Sequence, residues 1–321
     1  MKRLIFAFVL IFSLVTKVAG QDIYEEISHE YIPQYFMDGA FSFPYMLEEL
    51  VDEFKDLDPF NSCVMTTYFC LSRMFLGLEV GKDRVEANLA SIEQCMGRDN
   101  AIYALALISK SIDENENLNV LLSAADILEE TAGEDSWEYA FAMYVASRYA
   151  MDIKKYGSSR KSLEYANKCI EILEKDHTDN WLYRLASANR GIARLYAEDG
   201  GGFNELVAAL DSFGEVEDFA DILPFVHVAI DAATIYTSAG HHDEAIEIAE
   251  VIEQLLMSME MGMEKSELYY AINRTAYYAY AMKKDKKNAT LYYAKAESAC
   301  IARFGKGSKQ HKSLQEYKKM F

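Results

Sequence analysis

The most constraining feature of this sequence is a two-helix pattern written twice in succession between residues 223 and 304. The first copy reads AIDAATIYTSAGHHDEAIEIAEVIEQL and the second reads INRTAYYAYAMKKDKKNATLYYAKAESA. Tyr236, Gly240, Ala245, Ala249 and Ile252 align with Tyr280, Lys284, Ala289, Tyr293 and Ala296, a repeat of 44 residues. A helical pair of this size cannot bury its apolar face alone. Further copies must stack on it, so a row of such pairs is expected.

Apolar periods of three and four, and the breaks between them, divide the rest of the chain in the same way. Helices are expected over 62–78 with 83–96, 99–112 with 117–131, and 136–155 with 159–175. Three more pairs follow over 180–198 with 203–213, 219–239 with 243–259, and 265–283 with 286–304. No segment alternates with the two-residue period of a strand. The turns carry Gly81, Asn115, Gly157, Gly200 and Gly240 near equivalent places, where a left-handed residue can end the first helix of a pair. The expected fold is all-α, an α-solenoid of about six antiparallel helical hairpins over 61–307. Residues 21–60 form an irregular N-terminal helical cap, and 308–321 a C-terminal capping helix.

The position of Tyr236 and Tyr280 can be followed back to Tyr196, Ile153 and Ser111 in steps of 40 to 44 residues. The segment from Phe304 through Gly305, Gly307 and His311 is similar to a junction between repeats, with Lys312 where proline is usual. On these residues the chain resembles the tetratricopeptide repeat (TPR) over 136–321. It is closest to the roughly 42-residue kinesin-light-chain-like variety. The resemblance implies a right-handed solenoid with a concave groove lined by the first helix of each hairpin. Carried over position by position, that groove takes Tyr144, Ser147, Arg148 and Met151, then Ser187, Arg190 and Arg194. It continues through His227, Ile230 and Thr234 to Arg274 and Tyr278. The implied function is a non-catalytic scaffold or adaptor holding a protein or peptide partner. Four arginines and a histidine on one line suit an acidic segment or a C-terminal carboxylate, bound by forked, charge-assisted hydrogen bonds. Against this stands the plainer possibility that each arginine pairs with a glutamate of an adjacent helix.

Residues 1–20 are of a different kind. Lys2 and Arg3 precede an apolar run over 4–15, and Val18, Ala19 and Gly20 precede Gln21. This is the form of a secretory signal peptide, so an exported protein is expected, periplasmic or secreted. The apolar run is shorter than the roughly 20 residues of a spanning helix, and no later transmembrane segment is expected. Losing Lys2, Arg3 and Lys17 takes the net charge from −19 to −22, which excludes a basic footprint for nucleic acid. The five cysteines are an odd number for an exported chain; small buried hydrophobes are expected, with a bridge from Cys63 or Cys70 to Cys95 left open.

Catalytic, cofactor and metal motifs are not found. His241 and His242 are adjacent rather than four apart, and so do not share a helix face. Gly200, Gly201 and Gly202 follow no strand and precede no Lys-Ser/Thr, which excludes a phosphate loop. Acidic pairs such as Glu129 with Glu130 read as solvated faces. The many tyrosines keep a helical glycan-binding or glycan-processing protein as the alternative.

Overall fold

The computed structural model describes residues 27–39, 41, 51, 58–113, 117–151, 159–214, 219–259 and 262–318. The expected signal peptide, the Asn115 and Gly157 turns and most of residues 40–57 lie outside the described residues. Among the described residues there are fourteen α-helices and no strand. A short π-helical turn, Ile27–Tyr31, leads into α1 (Ile32–Met37). There follow α2 (Pro59–Phe75), α3 (Lys82–Met96), α4 (Ala101–Asp113), α5 (Leu118–Thr131), α6 (Trp137–Ala150) and α7 (Ser159–Leu173). The second half holds α8 (Trp181–Tyr196), α9 (Gly201–Asp211), α10 (Phe219–Ala239), α11 (His242–Ser258), α12 (Glu267–Met282), α13 (Lys286–Phe304) and α14 (Lys309–Lys318).

The helix starts are set by side-chain caps. Asp58, Asn117, Ser136, Asn180, Ser266 and Asp285 each accept a backbone N–H from the first turn that follows, and each such cap stabilises its helix by about 1 kcal/mol. The ends of the first helices depend on positive φ, but not always at glycine. Gly77 after α2 and Gly240 after α10 have φ of 66° and 88°, whereas Gly81, at 90°, stands at the start of α3. Gly200 has a φ of −60°; Glu198 takes the left-handed turn after α8 and Lys284 the one after α12, both at 62°.

Each helix packs on the next in the chain, and the even-numbered helices also pack on one another in sequence from α2 to α12. This makes an inner row of first helices, with α3, α5, α7, α9, α11 and α13 outside it. α6 lies deepest in the row. Ala140, Ala142, Ala146 and Ala150 let α5, α7 and α8 approach it, and all four are fully buried. Between α8 and α9 the approach is closer still. A Cβ on Gly202 would lie 2.2 Å from the Gly191 carbonyl oxygen, and one on Gly191 would lie 2.7 Å from that of Gly202. Gly202, the last of the glycine triplet, therefore serves helix crossing. Asp199 caps the triplet by accepting the Gly201 N–H at 3.0 Å.

The row curls until its beginning meets its end. The Gly77 carbonyl, in the turn after α2, accepts the Glu267 N–H at 2.9 Å and the Arg303 Nε–H at 3.1 Å. Gly77 has φ of 66°, and a Cβ there would sit 3.1 Å from the first backbone nitrogens of α12.

The N-terminal segment does more than cover an open end. Phe36 enters the interior and meets Phe41, Tyr68, Phe75, Trp137, Phe141 and Trp181 at centroid distances of 5.2–6.2 Å. Behind it, the Met37 carbonyl accepts from Asn180 Nδ2 and Trp181 Nε1, both at 2.7 Å. A curled row leaves an apolar hollow on its inner side, and close packing requires that the hollow be filled.

No disulfide joins the five cysteines among the described residues; Cys95 is exposed and the others are buried. Burial pushes the Cys63 pKa up to about 12, and Cys95 lies in hydrogen-bonding contact with it. One stretch departs from expectation: 221–239 of α10 is long and apolar enough to cross a membrane by length and composition. It packs between α8, α9, α11 and α12, the environment of a core helix.

Candidate functional site

Seven of the twelve residues expected along the concave groove, Tyr144, Arg148, Arg190, Arg194, His227, Arg274 and Tyr278, separate into three centres. The first joins Tyr144, Arg148 and His227 across α6 and α10. Arg148 Nη1 donates to Asp231 Oδ2 at 2.5 Å. One turn before Asp231, His227 donates Nε2–H to the Phe75 carbonyl at 2.8 Å, which fixes its tautomer. Burial holds the His227 pKa below the ordinary histidine value; the Phe75 hydrogen bond opposes that, and the Arg148 charge adds to it. Tyr144 is fully buried, and desolvation pushes its phenol up to about 12. This centre ties the end of α2 to the inner row.

The second centre is Arg190 with Arg194, one turn apart on α8. Both grip Glu205 of α9: Arg190 Nε donates to Oε1 and Arg194 Nη1 to Oε2 at 3.0 Å. Arg194 Nε also donates to Asp199 at 2.8 Å. Glu205 is nearly enclosed, with 12% of its side chain exposed. The glycine crossing of α8 and α9 turns these arginines toward α9. Glu205 was not apparent in the sequence, because its meeting with Arg190 depends on the crossing and has no local signature.

The third centre lies at the far end of the row, on α12. Arg274 is half-buried, its guanidinium 5.3 Å from the centroid of the Tyr270 ring. Its Nε is buried without a hydrogen-bond acceptor, and it forms no ion pair among the described residues. Burial raises the Tyr270 and Tyr278 phenols, and the nearby Arg274 charge opposes the rise in both. Tyr278 packs on Tyr317 of α14 at 4.6 Å, and Tyr317 is 40% exposed. The guanidinium thus sits among tyrosines and is hydrogen-bonded to the Tyr270 hydroxyl.

The histidine turn at the start of α11 is partly paired, with His242 Nδ1 buried and without a hydrogen-bond partner among the described residues. His241 faces Glu244 at 3.5 Å, and Asp243 pairs with Lys283. Among the described residues no group of three His, Cys, Asp or Glu side chains is placed to hold a metal ion. No known protein family and no curated protein matches this chain.

Proposed function

We propose that this chain is an exported, non-catalytic TPR-like scaffold, a right-handed solenoid of six hairpins that binds a protein or peptide partner at the α12–α14 end of its concave line. Arg274 is the anion anchor, Tyr278 and Tyr317 flank it, and the partner offers a C-terminal or side-chain carboxylate. The observation that carries this reading is the buried Arg274 Nε without an acceptor. A guanidinium with no acid beside it favours a carboxylate, because charge-assisted hydrogen bonds are about twice as strong as neutral ones. Arg148, Arg190 and Arg194 act within the scaffold, since Asp231, Glu205 and Asp199 already engage them. The pattern of residues 1–20 supports export.

The test is a titration of the folded chain with acidic peptides carrying either a free or an amidated C-terminus. Binding that prefers the free carboxylate and weakens about tenfold or more in Arg274→Gln supports the proposal. Equal binding by both proteins and both peptides refutes it.

A further inference from the structure

The outward side of the last two hairpins carries a second surface, on α11 and α13 and distinct from the Arg274 centre of α12. Of the eight large apolar side chains exposed among the described residues, four lie on the outer helices α11 and α13: Val251, Met257, Leu291 and Ile301. The two helices are bridged by Lys295 Nζ to Glu253 at 2.6 Å and by the Tyr292 hydroxyl to Glu250 at 3.3 Å. Between them is a shallow cavity of ≈ 500 Å³ lined by Glu250, Glu253, Gln254, Met257, Tyr292 and Lys295. The exposed stripe of α13 through Leu291, Ala294, Ser298 and Ile301 bears no charge.

The two helices differ in the charge of their first turns. α11 begins with Asp243 and Glu244, with Glu247 in the turn that follows, all exposed. α13 begins with Lys286 and Lys287, exposed and without an ion pair among the described residues. Both first turns lie on the same edge of the fold, as the Asp243–Lys283 pair shows. An acidic-ended apolar helix thus stands beside a basic-ended apolar helix pointing the same way.

We infer that this face binds a second copy of the chain in a twofold-symmetric dimer. A twofold axis running along the helices, between α11 and α13, lays α11 of one copy on α13 of the other without reversing direction. The acidic turn of each copy then meets the lysine turn of the other, and Val251 and Met257 meet Leu291 and Ile301. Every contact is made twice, the defining property of an isologous interface. An axis across the helices would instead set acidic turns against apolar ends, so the charges select the first arrangement. Two helices about 25 Å long lying side by side present roughly 500 Å² in projection. That is of the order of the approximately 800 Å² of accessible surface each partner buries in a standard interface.

Sedimentation velocity on the full chain at micromolar concentrations tests this. The expected result is a dimer that Leu291→Asp converts to monomer. Lys286→Glu with Lys287→Glu, and separately Glu244→Lys with Glu247→Lys, should each weaken association at least about tenfold. Combining both sets in one chain restores opposite charges across the interface and should restore the dimer. All these positions are exposed, and circular dichroism confirms that each variant is folded. A monomeric wild type overturns the inference, as does a dimer indifferent to Leu291→Asp or a folded charge-exchanged chain that stays monomeric. Retention of a monomer on phosphatidylglycerol vesicles would assign the face to lipid instead.

Discussion

Replacing Phe36 by Ala tests whether the N-terminal segment belongs to the interior of the fold. Phe36 is fully buried and meets six aromatic rings contributed by its own segment and by α2, α6 and α8. A buried phenylalanine removes about 150–250 Å² from water, worth about 4–6 kcal/mol as an upper estimate at about 25 cal/mol per Å². Core Phe→Ala substitutions cost about 3–5 kcal/mol, so a loss of about 4 kcal/mol is expected. At about 2 °C per kcal/mol for a chain of this size, the thermal midpoint should fall by roughly 8 °C. Phe36→Leu keeps most of the volume and should cost less than about 1.5 kcal/mol. Thermal melts followed by circular dichroism give both values. A change below about 1 kcal/mol in Phe36→Ala would place the ring at the surface and refute the account of a filled hollow.

Two further outcomes follow from the same packing. The His227 pKa is depressed in the folded chain, so the unfolded chain takes up its proton first as pH falls through about 6.5. The His227 contribution is therefore present above that pH and lost below it. His227→Gln, which keeps a donor for the Phe75 carbonyl, should flatten the fall in thermal midpoint between neutral pH and mildly acidic pH; an unchanged slope would contradict the assignment. Gly202→Ala should destabilise by about 1–3 kcal/mol through its clash with the Gly191 carbonyl, although helix propensity alone predicts a gain of about 1 kcal/mol. A higher denaturation midpoint in Gly202→Ala would show that α8 and α9 do not cross so closely.

Element positions were legible from the sequence because their signals are local. The expected helices over 219–239 and 286–304 match α10 and α13 end for end, and Ser136, Asn180 and Ser266 stand immediately before α6, α8 and α12. Neighbour relations were much less legible. Arg190 and Arg194 share a face by their four-residue spacing, but the crossing of α8 on α9 decides that this face meets Glu205. The N-terminal segment reads as a cap because nothing near Phe36 announces a destination. Its anchor, Trp181 Nε1 on the Met37 carbonyl, joins residues 144 apart in sequence. The inward curl of the row brings Phe36 inside, and that curl is a property of all the packed helices together. Arg274 was visible as a cation on the concave line. What distinguishes it from the other three arginines, the absence of an acid beside it among the described residues, became visible only in three dimensions.

The central claim is that Arg274 anchors a partner carboxylate, and calorimetric titration addresses it most directly. The folded chain and its Arg274→Gln variant are each titrated with one acidic peptide in free-acid and C-terminally amidated forms. The account predicts that wild type prefers the free-acid form and that Arg274→Gln loses that preference while retaining its thermal midpoint. A preference that survives in Arg274→Gln, or its absence from wild type, would contradict the claim.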